Sequence, residues 1–98
     1  MNRVGLNAVL REREALRYTP AGVPMVAMKL SHESIQREAG ADRTVQLEID
    51  ALAADDVALR ISRVALGTGL NLTGFLAPRR RSARSLVLHV TGFELNER

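Results

Sequence analysis

Four arginines lie within six residues near the C-terminal end of the chain: Arg79, Arg80, Arg81 and Arg84. Like charges held this close repel one another, and the repulsion falls when an anion lies between them. The guanidinium group is planar and always charged, and it can donate two parallel hydrogen bonds to one phosphate. The segment therefore predicts a contact with a nucleic-acid backbone. The alternative is a solvated loop that serves only solubility.

The residue types that catalysis or metal binding needs do not come together in the sequence. His32 and His89 are far apart and have no companions at ligand spacing, and the chain has no cysteine. The adjacent Asp55 and Asp56 fit a helix cap better than a catalytic pair. No nucleophile–base order, Walker loop or dinucleotide fingerprint occurs. We therefore expect no catalytic residue, no metal, no cofactor and no enzymatic activity.

Composition bounds the size and class of the protein. The 98 residues suffice for one domain, placed at residues 1–98, and a chain this short gains stability from dimerisation. The net charge is +3, and thirteen of the fourteen basic residues are arginine. A GC-rich genome also favours arginine, so composition permits a nucleic-acid partner without requiring one. The sequence shows no signal peptide and no long apolar run, which predicts a cytoplasmic protein without a membrane partner.

The N-terminal residues alternate between apolar and polar, which is typical of a half-buried strand. The apolar members are Val4, Leu6, Ala8 and Leu10. This first strand continues loosely through a charged bend at residues 12–14 to Tyr18. Proline and glycine predict a turn over residues 19–24, and a second strand over residues 25–30 completes a hairpin.

The middle of the chain predicts a loop and then a third strand. Residues 34–42 are polar, contain Gly40 and lack a strand period, so we predict an exposed loop. Residues 43–50 show the clearest alternation in the chain. The side chains predicted to face inward are Val45, Leu47 and Ile49.

A short helix is predicted after residue 54, with Asp55 or Asp56 as its N-cap. Its apolar positions recur at helical spacing: Val57, Ile61, Val64 and Ala65. Residues 57–61 could also be extended, and residues 67–69 end the element. A fourth strand over residues 70–76 stops at Pro78. The basic loop follows at residues 78–85, then a last strand at residues 86–95 and a frayed tail at residues 96–98.

Five strands with one short helix between strands three and four predict an all-β, five-stranded Greek-key OB-fold barrel. The alternative from pattern alone is another small barrel, such as an SH3-like one. In an OB-fold, the loop between strands four and five is one of two that frame the ligand. The basic loop occupies that position.

Several segments then resemble known proteins. Asn-Arg-Val at residues 2–4, Leu-Arg-Tyr-Thr-Pro-Ala-Gly at 16–22 and Gly-Leu-Asn-Leu-Thr-Gly at 69–74 resemble bacterial single-stranded-DNA-binding protein. More specific segments resemble its short relatives, the PriB family (primosomal replication protein N): residues 22–24, 30–34, 36–40, 73–75 and 87–89. The resemblance spans nearly the whole chain and depends on the order and spacing of these segments.

The resemblance implies a homodimer of OB-folds that binds single-stranded DNA and partners the PriA helicase and DnaT during replication restart. Apolar residues on both faces of the first strand, among them Leu6 and Val9, fit an edge strand that pairs with its twin. The resemblance also assigns DNA contacts to the loop around Arg80 and Arg84 and to the basic positions Arg17 and Arg43. For Arg17 and Arg43 the alternative is a plain surface charge.

Aromatic platforms for bases are sparse. The resemblance places family aromatics at Ala41 and Gln46, which are not aromatic here, and at Phe75, which alternatively belongs to the core. Because base stacking on an aromatic ring is worth about 1–3 kcal/mol, we expect a weaker and more electrostatic binder. This loss also leaves two other functions open: a dimeric protein-docking module with little DNA affinity, and a small RNA-binding OB protein.

Overall fold

The computed structural model describes residues 1–96 and contains six strands and one helix. In chain order these are β1 (Val4–Arg13), β2 (Arg17–Tyr18), β3 (Pro24–Glu38), β4 (Ala41–Ala54), α1 (Asp55–Ile61), β5 (Gly69–Pro78) and β6 (Leu86–Leu95). Within residues 1–96, no helix is long and apolar enough to cross a bilayer.

The five long strands close into a barrel in the order β1, β3, β4, β6, β5 and back to β1. β1 closes the barrel because its first half pairs with β5 and its second half with β3, with a register shift between Leu10 and Glu12. β4 and β6 are parallel, and the other pairs are antiparallel. With α1 between the third and fourth long strands, the predicted OB-fold is confirmed.

The barrel interior is aliphatic. The largest fully buried side chains are Leu10, Leu30, Ile61, Leu70, Leu72, Leu88 and Val26. On β1 the predicted alternation is confirmed, because Ala8 and Leu10 are buried while Val4 and Leu6 pack against the core from its edge. Burying a side chain of this size contributes about 1.5–3 kcal/mol relative to exposing it, so this face of β1 fixes its register.

The predicted loop at residues 34–42 is wrong. β3 and β4 continue as one long hairpin that turns only at Ala39 and Gly40. Both turn residues have positive φ, 54° and 78°, as the tight hairpin turn that matches strand twist requires. Side chains are exposed on both faces near the tip, so the segment carries no apolar alternation although its backbone is extended.

The inward orientation predicted for three residues of β4 holds for one of them. Ile49 packs against the core. Val45 is only half-buried, and Leu47 is 39% exposed, because the hairpin has left the barrel at their level. The alternation identified the strand correctly but did not show where the barrel ends.

The predicted helix exists, but it is shorter and capped differently. Its N-cap is Ala54, which makes no side-chain capping hydrogen bond, while Asp55 and Asp56 lie in the first turn. There the carboxylates complement the positive end of the helix dipole. The helix ends at Ile61, and Val64 packs against the core from the following turn.

The first strand does not continue to Tyr18 as predicted: β1 ends at Arg13, and Tyr18 belongs to the separate short strand β2. The other elements match their predictions. The hairpin turn is closed by hydrogen bonds from the Thr19 amide to the Val23 carbonyl and from the Gly22 amide to the Thr19 carbonyl. β5 and β6 have the predicted positions. Of the predicted tail, Asn96 is tied to β5 by a 2.9 Å hydrogen bond from its amide to the Gly69 carbonyl. Residues 97 and 98 lie outside the described part of the chain.

Candidate nucleic-acid interface

A groove of about 650 Å³ lies on the outer face of the barrel. It runs between the β1–β3 connection, which contributes Arg17, and the β5–β6 loop, which contributes Arg79. Its floor includes Lys29, Asp50 and Leu52. These side chains face outward, because successive strand residues face opposite sides and the neighbours of these three along β3 and β4 point into the core. These two connections are the loops that frame ligands in OB-folds.

Asp50 is the electrostatic centre of this groove. Its carboxylate lies 3.1 Å from the Lys29 ammonium and also accepts a hydrogen bond from Arg79. The hydrogen bond from Lys29 lowers the pKa of Asp50; Arg79 acts in the same direction, whereas partial burial opposes the shift. The same hydrogen bond raises the pKa of Lys29. Two cations and one anion leave this cluster with one net positive charge.

The other loop arginines, Arg80, Arg81 and Arg84, are exposed and form no ion pair within residues 1–96. Backbone hydrogen bonds hold the loop together: the Arg79 amide donates to the Ser85 carbonyl at 3.1 Å, and the Ala83 amide donates to the Arg80 carbonyl at 2.9 Å. The three arginines are accessible, as the sequence indicated, and the loop that carries them contributes Arg79 to the groove.

The β1 side of the groove is mixed in charge. Arg17 is exposed on β2, and Glu12 and Glu14 line the same groove. Arg13 also lines it, but its guanidinium donates to the carbonyls of Ile61 and Val64 after the end of α1. Within residues 1–96, the Arg17 side chain makes no ion pair, so on this side of the groove it is the cation available to an anion.

Arg43 lies apart from the other candidate residues. It sits near the tip of the β3–β4 hairpin, where its guanidinium is 3.0 Å from the Glu38 carboxylate. It precedes Asp50 on β4 by seven positions, a distance of about 23 Å along an extended strand. The structure thus brings Arg17 and Arg79 to one groove and leaves Arg43 on a separate projection.

Phe75 lies on the surface and not in the core. The residue is 38% exposed, and its ring stacks on His89, with ring centroids 4.8 Å apart and planes inclined by 6°. The two residues are directly opposite on β5 and β6, and His89 is in turn opposite Leu52 of β4. The sequence gives no sign of this stack, because nothing in it reveals which residue faces Phe75 across the sheet.

Comparison with known proteins assigns the family. A family model described as another single-strand binding protein family matches residues 2–92. The replication restart protein PriB of Bordetella pertussis is 43% identical over 92% of this chain and 84% of its own length. The chain belongs to the PriB family. PriB of Nitrosomonas europaea is 39% identical, over 91% of this chain and 82% of that protein.

A solved structure agrees with this assignment. PriB of Ralstonia solanacearum is 44% identical to this chain, superposes with a TM-score of 0.90 and covers 99% of both chains. The resemblance to the PriB family drawn from short segments is therefore confirmed over the whole barrel.

Two positions that carry aromatic rings in the resemblance lie on the hairpin. Ala41 begins β4 beside the turn and is exposed. Gln46 is also exposed, and its side-chain amide lies 3.3 Å from the Glu33 carboxylate. At these two places this member of the PriB family offers a methyl group and an amide instead of rings.

Proposed function

We propose that this protein binds single-stranded DNA as an accessory of the replication-restart primosome. The observation that carries the proposal is the exposed cluster of Arg80, Arg81 and Arg84 on the loop that contributes Arg79 to a groove framed by the two OB loops. Membership of the PriB family and of a single-strand binding family model supports it. Catalysis has no part in this function.

In this proposal, the position of each candidate residue determines which part of the DNA it contacts. The loop arginines contact phosphates, and Arg17 extends the positive surface to the opposite rim. Phe75 presents a ring to a base. Arg43 contacts the backbone of a strand long enough to reach the hairpin. Each phosphate neutralised on a single strand contributes about −0.7 to the slope of log affinity against log salt, so binding of this kind weakens steeply as salt rises.

We further propose that the chain is one domain, forms a homodimer and bridges the PriA helicase and DnaT in the cytoplasm, as the family resemblance implies. Support for the homodimer comes from β1. Within residues 1–96, the backbone of residues 4–8 pairs with β5 on one side and has no strand partner on the other. Sedimentation that finds only a species of 10.8 kDa would contradict the homodimer.

The alternative function is a protein-docking module with little DNA affinity, which the lack of aromatic rings at Ala41 and Gln46 favours. Substitutions in the arginine loop distinguish it from DNA binding. We would replace Arg80, Arg81 and Arg84 by glutamate and measure binding to labelled single-stranded DNA and to purified PriA helicase. The proposal expects loss of DNA binding. Wild-type protein that recruits the helicase but binds no DNA, even at low salt, would establish the docking module. Competition between DNA and RNA of equal sequence separates the RNA-binding alternative.

A further inference from the structure

The stacked rings of Phe75 and His89 stand on the outer face of the barrel, where no packing against the core requires them. Their closeness depends on Gly74. A Cβ added at this glycine would lie 2.0 Å from the His89 carbonyl oxygen, so only glycine lets the two backbones approach this closely. The β5–β6 register shifts between Thr73 and Gly74, directly beside the pair, so the backbone geometry at this shift sets the position of both rings.

Each ring covers one face of the other, and His89 has Leu52 of β4 as its cross-strand neighbour on the side away from Phe75. Both rings line a groove beside α1; His89 also lines the groove that holds Asp50, Lys29 and Arg79, whereas Phe75 also lines a smaller depression beside Asn2 and Arg3. The side of His89 that Phe75 does not cover is therefore the side on which Leu52 and the groove lie. Leu52, opposite His89 on β4, gives that part of the floor an apolar surface.

We propose that His89, supported from behind by Phe75, is the stacking platform for one nucleobase of a strand bound in the groove. Arg79 follows the end of β5, four residues and about 13 Å of extended chain from Phe75, and it lines the same groove as His89. A DNA strand stacked on His89 therefore has its phosphates near the arginine loop. The inference deepens the proposed function and rests on it. Every base has a π face, so the platform accepts any base.

The test compares two strands of about 8 nucleotides, within the range that one OB-fold covers. One is oligo-dT, and the other is an abasic strand with the same number of phosphates. Binding is measured by anisotropy for the wild type and for His89→Ala, His89→Gln and His89→Phe. Asn71→Ala is the matched control, because Asn71 is exposed on β5 and lines a different groove.

His89→Ala and His89→Gln are expected to weaken oligo-dT binding about five- to tenfold, at the lower end of base stacking on a ring. The salt slope stays unchanged because no phosphate contact is lost. His89→Phe keeps the wild-type affinity, and neither His89→Ala nor His89→Gln alters binding of the abasic strand. If His89→Ala lowers the melting temperature, His89→Gln alone decides the test.

Equal binding of oligo-dT by the wild type and His89→Gln would overturn the platform, and so would equal weakening of the abasic and normal strands. In both cases the wild type still binds DNA, and the proposed function stands. Wild-type protein that binds neither strand at low salt would refute the proposed function itself. The platform falls with it.

Discussion

The ammonium group of Lys29 lies 3.1 Å from one carboxylate oxygen of Asp50, and the other oxygen of the same carboxylate accepts a hydrogen bond from Arg79. Asp50 thereby places an anion of the protein itself where cations from β3 and the β5–β6 loop converge. A phosphate entering the groove meets two cations that already have a partner. We therefore expect Asp50 to limit the affinity of the groove for DNA.

Asp50→Asn is expected to tighten binding to single-stranded DNA about two- to fivefold. In the wild type a phosphate competes with Asp50 for Lys29 and Arg79, and an exposed ion pair of this kind is worth up to about 1 kcal/mol. The measurement is an anisotropy titration at low salt. Glu94→Gln is the control, since it removes one negative charge from an exposed position on β6 outside the groove. An equal gain in both variants would show that only net charge matters.

The same cluster predicts a dependence of stability on pH. Because the folded state lowers the pKa of Asp50, this carboxylate adds stability above its unfolded pKa and loses it as pH falls through the folded value. Lys29 has a raised pKa, so its contribution is present below the unfolded lysine pKa and is lost as pH rises through the folded value.

The difference in melting temperature between wild type and Asp50→Asn should therefore be largest near about pH 7 and shrink towards about pH 3. High salt should also reduce it, because the pair is exposed and screened. Thermal unfolding followed by circular dichroism measures both effects. A difference independent of pH and salt would mean that Asp50 acts through packing and not through charge.

Arg43→Gln is expected to leave the binding of a strand of about 8 nucleotides unchanged and to weaken binding of a strand several times longer. The reason is that about 23 Å of β4 separates Arg43 from the groove, and a short strand held there does not reach the hairpin. Arg63→Gln, an exposed change after α1, serves as the charge control. Equal weakening of short and long strands by Arg43→Gln would place the DNA along the hairpin instead.

Gly74→Ala is expected to destabilise the fold by about 1–3 kcal/mol, the usual cost of overpacking. The new Cβ would meet the carbonyl of His89, which is backbone and cannot rotate away. Gly5→Ala is the matched control, because nothing lies within 4 Å of a Cβ at Gly5 on β1. Denaturant unfolding of both variants measures the difference, and equal stability would contradict the close approach of β5 and β6.

Alternation of apolar residues predicted those parts of the fold that have one buried face. It placed β1 and β5, where residues such as Leu10 and Leu72 enter the core. It failed at residues 34–42, because a hairpin exposed on both faces carries no pattern even though its backbone is extended. It also placed Leu47 inside, since alternation does not record where the barrel ends.

Local composition predicted part of the site. Four arginines in one loop are visible in the sequence, and the loop is where the strand order places it. The pairing of Arg79 with Asp50 was not predictable, because 29 residues separate the two and their contact depends on the β4–β6 pairing. The stack of Phe75 on His89 depends in the same way on a register that includes a shift at Gly74.

The most direct test of the account is the affinity for oligo-dT across a salt series, measured by anisotropy for the wild type and for a variant with Arg80, Arg81 and Arg84 changed to glutamine. The wild type should bind at low salt and weaken steeply as salt rises. Loss of three phosphate contacts should reduce the slope of log affinity against log salt by about 2. Wild-type binding with the same slope as the variant, or no wild-type binding at low salt, would contradict an electrostatic single-strand binder.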